Sequence, residues 1–128
     1  MKEYDVVLAP RVVEQIRSIK DYIAKVKLSP DTAEKLANVI FEEIIHLSAF
    51  PERGFNADEK VGVKIDKNGR DSRGIAIQNG QYIVIYSIDE EMSRVDVAYL
   101  ISTKTDYAKL FLWHWQSVGK KEVRGTVA

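Results

Sequence analysis

Residues 73–101 read RGIAIQNGQYIVIYSIDEEMSRVDVAYLI, which contains three short apolar runs separated by two turn signals. Asn79-Gly80 lies between the first two runs, and this pair favours the positive φ angles of a tight hairpin turn. A longer polar turn, residues 89–93, precedes the third run, where apolar and polar residues alternate. The pattern predicts a three-stranded antiparallel meander. Its middle strand, residues 82–88, is apolar on both faces and should be covered on both sides.

The composition is that of a single globular domain. The chain has 128 residues, of which 45% are hydrophobic and 30% charged, and this length can bury a core without disulfides or metal. The absence of cysteine excludes a disulfide framework, a thiolate nucleophile and Cys-based metal sites. The 19 basic and 19 acidic side chains cancel, so any basic site must be local. Because no signal-like or membrane-spanning run is visible, we expect a cytoplasmic protein.

Two amphipathic helices are expected before the meander. Residues 4–9 form a first strand, which Pro10 ends because proline cannot donate to a strand ladder. Apolar residues then recur at spacings of three and four, first in residues 12–26 and then in residues 33–47. Ser29-Pro30 supplies a helix N-cap and a proline at the first helical position. So short a link predicts an antiparallel hairpin, whose apolar stripe packs on the meander.

The segments that flank the meander have less regular patterns. Alternation in residues 61–65 and the Asn68-Gly69 turn signal predict an edge hairpin. A short aromatic-rich helix is expected after the meander, and then a flexible polar tail at residues 117–128. The predicted fold is therefore α+β within one domain, residues 1–116. It comprises an N-terminal strand, a two-helix hairpin on a three- to four-stranded antiparallel sheet, and a short C-terminal helix.

Aromatic side chains indicate two candidate partner-binding surfaces. Tyr82 and Tyr86 share a strand face and could line a shallow concave surface, although cross-strand packing beneath the helices is the favoured alternative. The C-terminal helix is apolar almost all round, and a domain of this size has difficulty covering every side of it. This suggests contact with a second copy or another chain through Leu110, Phe111, Trp113 and Trp115.

Motifs for the common catalytic chemistries are missing from the sequence. There is no phosphate-binding glycine loop, dinucleotide-binding turn, metal-ligand cluster or Ser/Cys-His constellation. His46 and His114 have no catalytic partner at a recognisable spacing, so structural or surface roles are favoured. The basic residues between positions 60 and 73 are interleaved with acidic ones, which favours a solvated loop over a nucleic-acid patch. Neither a metal nor a cofactor is expected.

Five short motifs occur in a characteristic order along the chain. They are Ala9-Pro10, DYIA at residues 21–24, SPDTAEKL at 29–36, LSAFPERG at 47–54 and YIVIYSID at 82–89. Their order and spacing resemble the RelE/ParE superfamily of toxins from type II toxin-antitoxin systems, the plasmid-stabilisation toxins. The resemblance covers most of residues 4–110. The long hairpin that ends in FPERG is more similar to the ParE branch than to the RelE branch.

The resemblance implies a growth-inhibiting toxin that a cognate antitoxin neutralises. RelE-type members cleave mRNA on the ribosome with lysines and arginines on the sheet and a tyrosine near the C-terminus. Without a metal, attack by the 2′-hydroxyl requires cations to stabilise the phosphorane charge and a group to move protons. In this sequence the expected arginine position of the sheet holds Ile83, and the expected lysine positions fall near Gly74 and Ala76. Only three residues could fill the catalytic roles, namely Arg73, Lys104 and Tyr107.

ParE-type members have no such catalytic set and act by poisoning DNA gyrase. The His and Arg that often follow their last strand are Ser102 and Thr105 here, whereas Asp106-Tyr107 matches. The resemblance therefore favours a non-enzymatic toxin with gyrase as its target. It implies an antitoxin partner. The expected assembly is a homodimer or a toxin-antitoxin hetero-oligomer. The alternatives are a ribosome-dependent endoribonuclease and an inactive member that only binds antitoxin.

Overall fold

A computed structural model describes residues 3–104 of the chain. The elements are β1 (Asp5–Leu8), α1 (Pro10–Val26), α2 (Pro30–Ile45), short 3-10 turns at His46–Ser48 and Pro51–Arg53, β2 (Phe55–Asn56), α3 (Ala57–Val61), β3 (Ser72–Ile77), β4 (Tyr82–Asp89) and β5 (Arg94–Ser102). This order confirms the predicted α+β fold. The expected C-terminal helix and tail lie outside the described residues. None of the described helices is long and apolar enough to cross a membrane.

The sheet has five strands in the order β1-β5-β4-β3-β2. Strands β3, β4 and β5 form the predicted antiparallel meander. Strand β1 pairs with β5 in parallel, with Asp5 opposite Arg94, and the two-residue β2 pairs with β3 at the other edge. The sheet is therefore mixed and larger than expected. Strand order depends on contacts between distant parts of the chain, which a local sequence pattern does not contain.

The turn between β3 and β4 has the backbone that the Asn-Gly signal predicted. Gln78, Asn79 and Gly80 have φ angles of 51°, 55° and 82°. The Gly80 N–H donates to the Ile77 carbonyl at 3.1 Å. Asparagine and glycine tolerate this left-handed region better than other residues, so the local sequence specifies the turn.

The helix hairpin packs its apolar stripe on one face of the sheet. Val12 on α1 and Ile40 on α2 are fully buried in one cluster with Val84 and Tyr86 of β4. Ile83 and Ile85 of the same strand belong to a second cluster on the opposite face. The middle strand is therefore covered on both sides, as predicted.

Residues 61–65 do not form the predicted edge hairpin. The Asn56 side chain accepts a hydrogen bond from the Glu59 N–H at 3.0 Å and caps α3. Gly62, with φ 91°, ends α3 in the left-handed conformation. The alternation in residues 61–65 reflects a loop whose apolar side chains pack under the sheet, whereas the short edge strand β2 lies before α3.

Candidate functional site

The sheet face that the helix hairpin leaves uncovered changes from apolar to polar along the strands. Paired residues of antiparallel strands project to the same face, so the pairing places side chains of β3, β4 and β5 in rows. The rows are Ala76, Ile83 and Ile101; Gly74, Ile85 and Tyr99; and Ser72, Ser87 and Asp96. Buried residues of α3 and the following loop pack on the apolar part. The polar row borders a cavity.

This cavity lies beside a β-bulge in β5. Ile85 pairs with Tyr99 and Tyr86 pairs with Val97, so Ala98 is an extra residue. The cavity has a volume of about 310 Å³, and Ala98 and Tyr99 form part of its wall. The Arg11 guanidinium lies 4.5 Å from the centre of the Tyr99 ring. We call this space the bulge cavity; it is lined by Arg11, Ile65, Asp66, Lys67, Asn68, Ser72, Tyr86, Ser87, Ala98 and Tyr99.

An ionic network ties the loop before β3 to the end of the sheet. Arg70 donates to the Asp96 carboxylate at 2.8 Å and to Asp66 at 3.3 Å. Arg94 donates to Asp96 at 2.8 Å and to Asp89 at 3.3 Å. Desolvation alone would raise the pKa of Asp96, but hydrogen bonds from both arginines outweigh it and hold that pKa below its ordinary value. The network positions one wall of the bulge cavity.

The Asp58 carboxylate orders the same loop by accepting hydrogen bonds from backbone N–H groups. One carboxylate oxygen accepts the Ile65 N–H and the other accepts the Ser72 N–H, both at 2.9 Å. The Lys64 ammonium lies 3.6 Å from Asp58 and 2.7 Å from Asp71. The hydrogen bond from Lys64 lowers the pKa of Asp71. These bonds fix both ends of the segment that carries residues 66–68 to the cavity.

Arg73, a predicted catalytic residue, supports the backbone that follows the helix hairpin. Its guanidinium donates to the carbonyls of Glu52 at 2.9 Å and Gly54 at 3.2 Å. It pairs with Tyr86 across β3 and β4, so it projects to the face opposite Ile83. The structure therefore separates Arg73 from the sheet positions where RelE-type cations would lie.

The two predicted strand tyrosines share a face but differ in exposure. Tyr86 is fully buried, and its hydroxyl donates to the Pro51 carbonyl at 2.6 Å. Burial raises the pKa of Tyr86. This burial places Tyr86 in the apolar cluster beneath the helices and favours a packing role for it. Tyr82 is only half-buried.

Tyr82 and Lys104 line one groove, so the structure brings two predicted site residues together. This end groove has a volume of about 630 Å³ and lies between α1 and the ends of β4 and β5. Tyr22 of α1 and Lys27, the residue that follows α1, form its other side, and Tyr22 is 62% exposed. The remaining predicted residues lie outside the described part of the chain, namely Tyr107, Leu110, Phe111, Trp113 and Trp115.

A second groove runs along the outside of the helix hairpin. This outer groove has a volume of about 300 Å³ and is lined by Leu8, Val13, Ile16, Arg17, Lys20, Ala37, Asn38 and Phe41. Val13 is 42% exposed and Phe41 is 48% exposed. The sequence predictions missed this surface. Its signal was the pair of apolar residues, Val13 and Phe41, that fall outside the buried stripe.

A metal centre has no basis among the described residues. In residues 3–104, no three His, Cys, Asp or Glu side chains are grouped so that they could hold an ion. The acidic residues of the ionic network each contact an arginine instead.

Comparison with known proteins identifies a matching family and a similar fold. The family described as the ParE toxin of the type II toxin-antitoxin system, parDE, matches residues 6–107. A solved structure titled chromosomal ParDE TA system from P. aeruginosa has a similar fold, with a TM-score of 0.59 and 10% sequence identity over 78% of this chain and 96% of that chain. No curated protein matches. The family match spans most of the chain and confirms the resemblance inferred from the motifs, so the protein belongs to the ParE toxin family of type II toxin-antitoxin systems.

Proposed function

We propose that this toxin arrests growth by binding a protein target, with DNA gyrase as the leading candidate, and that a cognate antitoxin neutralises it. The observation that carries the proposal is the apolar row Ala76, Ile83 and Ile101 on the sheet face opposite the helix hairpin. Metal-free RNA cleavage requires cations beside the scissile phosphate. An alanine and two isoleucines at these positions supply none, which favours a binding mechanism over catalysis.

The end groove is the surface that we assign to the target. It combines the exposed ring of Tyr22 and the half-buried Tyr82 with the ammonium groups of Lys27 and Lys104. Protein interfaces are enriched in aromatic side chains, which bury a large area at low entropic cost. Basic residues at the rim would favour an acidic target surface.

The outer groove is the surface that we assign to the antitoxin. Exposed apolar side chains that lie close together on a folded domain generally mark a partner site. Val13 and Phe41 supply these side chains, and Arg17 and Lys20 supply positive charge along the edge. An amphipathic helix with an acidic border fits such a groove, because its apolar face enters while its carboxylates meet the basic residues.

The first experiment compares the two candidate targets with purified components. We expect the protein to inhibit DNA supercoiling by gyrase and to leave cell-free translation unchanged. The reverse result, together with codon-positioned cuts in mRNA from induced cells, would establish the endoribonuclease alternative. Lys104 and Tyr107 would then be the remaining candidates for catalytic residues. Absence of growth arrest on expression would identify a member that only binds antitoxin.

Two charge-reversal variants test the assignment of the grooves, and each is the control for the other. Lys104→Glu should weaken gyrase inhibition and retain antitoxin binding, because Lys104 lies in the end groove alone. Lys20→Glu should weaken antitoxin binding and retain gyrase inhibition, because Lys20 lies in the outer groove. If both variants weakened the same activity, the separation of the two surfaces would be wrong. Light scattering of toxin and complex would give the oligomeric state.

A further inference from the structure

The bulge cavity takes no part in the function proposed above, yet it is a well-defined space. Its volume of about 310 Å³ lies at the lower end of the range for small-molecule sites, which begins at about 300 Å³. Four separate parts of the chain build it: the start of α1, the loop before β3, the meander strands and the bulge itself. The Asp58 bonds and the ionic network hold this loop against the sheet.

The floor of the bulge cavity carries two buried hydroxyl groups. Ser72 is 3% exposed and Ser87 is 6% exposed, and the two residues pair across β3 and β4. Neither hydroxyl donates to or accepts from another group within residues 3–104. In that part of the chain no side-chain polar atom is both shielded from solvent and without a partner. Both hydroxyls must therefore open onto the cavity as donors for a ligand.

Two cationic side chains, Arg11 and Lys67, line the bulge cavity and come from different parts of the chain. Arg11 approaches from α1, and its guanidinium is held over the Tyr99 ring. A stacked guanidinium keeps its N–H edge available for bidentate contact with an anion. Lys67 and the Asn68 amide approach from the loop. The bulge cavity is therefore lined by N–H-bearing side chains from α1 and from the loop, in addition to the two hydroxyls.

Two further features make the bulge cavity more favourable for an anion. The Asp66 carboxylate lines it, but this group accepts hydrogen bonds from the Arg70 backbone at 3.0 Å and side chain at 3.3 Å, so its charge is compensated. Helix α1 begins at Pro10 beside Arg11, with no side-chain cap and no acidic residue in its first turn. The positive end of the α1 dipole is therefore not offset locally.

We propose that the bulge cavity binds a phosphate group, either inorganic phosphate or the phosphate of a mononucleotide. A tetrahedral phosphate presents oxygens in several directions at once, which suits a cavity whose hydroxyl and N–H groups come from different parts of the chain. A planar carboxylate presents only two oxygens. Since the chain has no net charge, binding depends on this local arrangement and not on the overall charge.

The test is a titration of the full chain with inorganic phosphate and with adenosine 5′-monophosphate, followed by NMR and calorimetry. We expect saturable binding with a Kd of about 1 mM or tighter. Arg11→Gln should weaken binding by about tenfold or more, because a charge-assisted contact is lost. Arg17→Gln is the matched control, since it removes an exposed arginine from the same helix without altering the cavity.

Additional variants and ligands distinguish the possible outcomes. Arg11→Lys should bind phosphate more weakly than the natural chain and more tightly than Arg11→Gln. It keeps the positive charge but loses the bidentate geometry of the guanidinium. Ser87→Ala tests the floor, and thermal unfolding shows whether each variant folds. Equal affinity for phosphate and mononucleotide would support recognition of phosphate alone, whereas tighter mononucleotide binding would assign a nucleotide. Binding that does not saturate, or equal affinities of Arg11→Gln and Arg17→Gln, would overturn the proposal.

Discussion

The two faces of the sheet are built from the same strands but differ in their content. On the face beneath the helix hairpin, Val84 and Tyr86 of β4 are fully buried in one continuous apolar cluster. On the other face, the alternate residues Ile83 and Ile85 pack on α3 and its loop, and Ser87 continues into a polar cavity. The period of two in a strand thus places neighbouring residues of β4 in two different apolar clusters, and only the second of these faces borders a polar cavity.

This comparison predicts different sensitivities to mutation. The helix-covered face should respond to loss of apolar volume, since its side chains are shielded from water. The other face should respond to steric fit at Gly74, where β3 contacts Phe55 of β2, and to charge at its polar end. The following predictions run from the largest expected effect to the smallest.

Ile40→Ala should cause the largest loss of stability, because Ile40 is fully buried between α2 and the sheet. We expect a decrease of about 2–5 kcal/mol in the free energy of unfolding, measured by urea denaturation. Val39→Ala is the matched control, since Val39 is the preceding residue and is 43% exposed. Similar losses in both variants would contradict the assignment of the core.

Gly74→Ala tests the sheet face opposite the helix hairpin by adding side-chain volume. A Cβ atom at this position would lie 2.4 Å from the Phe55 ring, so the ring or the strand has to move. We expect a loss of about 1–3 kcal/mol from overpacking. Phe55→Leu in the same chain should recover part of the loss, because it removes the atoms that clash. If the double variant were no more stable than Gly74→Ala, the clash would not be the cause.

Asp96→Asn should reduce stability at neutral pH by about 1–2 kcal/mol, since it removes a partly buried carboxylate that two arginines contact. The arginines hold the pKa of Asp96 below its ordinary value of 3.8. The stabilising contribution is therefore complete above this value and is lost as the pH falls through the lower folded-state pKa. Unfolding curves from pH 7 to acid should show the natural chain and the variant converge. A difference independent of pH would contradict the role of the charge.

The Tyr4→Phe substitution should have the smallest effect on stability, and its distinguishing sign is a changed pH dependence in alkali. The hydrogen bond that its hydroxyl donates to the Glu90 carboxylate at 2.6 Å, together with burial, raises the pKa of Tyr4 to about 12. The neutral phenol therefore stabilises the fold fully below its ordinary pKa of 10.0, and this stabilisation is lost as the pH rises towards 12. Tyr4→Phe should show a weaker decline of stability over this range, measured by thermal unfolding.

The sequence predicted the parts of the fold that depend on neighbouring residues. Local periodicity and backbone preference explain the Asn79-Gly80 turn and the start of both long helices at a proline. They also explain why β4 is apolar on both faces. The N-cap at Ser29 was predicted in the correct place, but its hydroxyl bonds to the Thr32 side chain and not to the backbone. Local rules therefore locate an element better than they specify its hydrogen bonds.

The candidate sites were less predictable because distant segments build them. Arg11 reaches Tyr99 across the bulge, and neither the bulge nor that contact has a sequence signal. The reading of residues 61–65 as a strand was wrong because the Asn56 cap and Gly62 favoured a helix before them. Tyr82 and Lys104 were both identified as site candidates, but only the folded chain shows that they share a groove.

The pairing of β1 with β5 means that the sheet can be completed only late in synthesis. The ribosome makes β1 first, but its partner β5 is the last described strand, and Leu8 meets Val97 in the register. Until β5 emerges, β1 has no neighbour and β4 has a bare edge. Contacts between such distant segments form late and slowly. The nascent chain therefore lacks its complete sheet, and the end groove that residues 102–104 help to line, until translation has passed this strand.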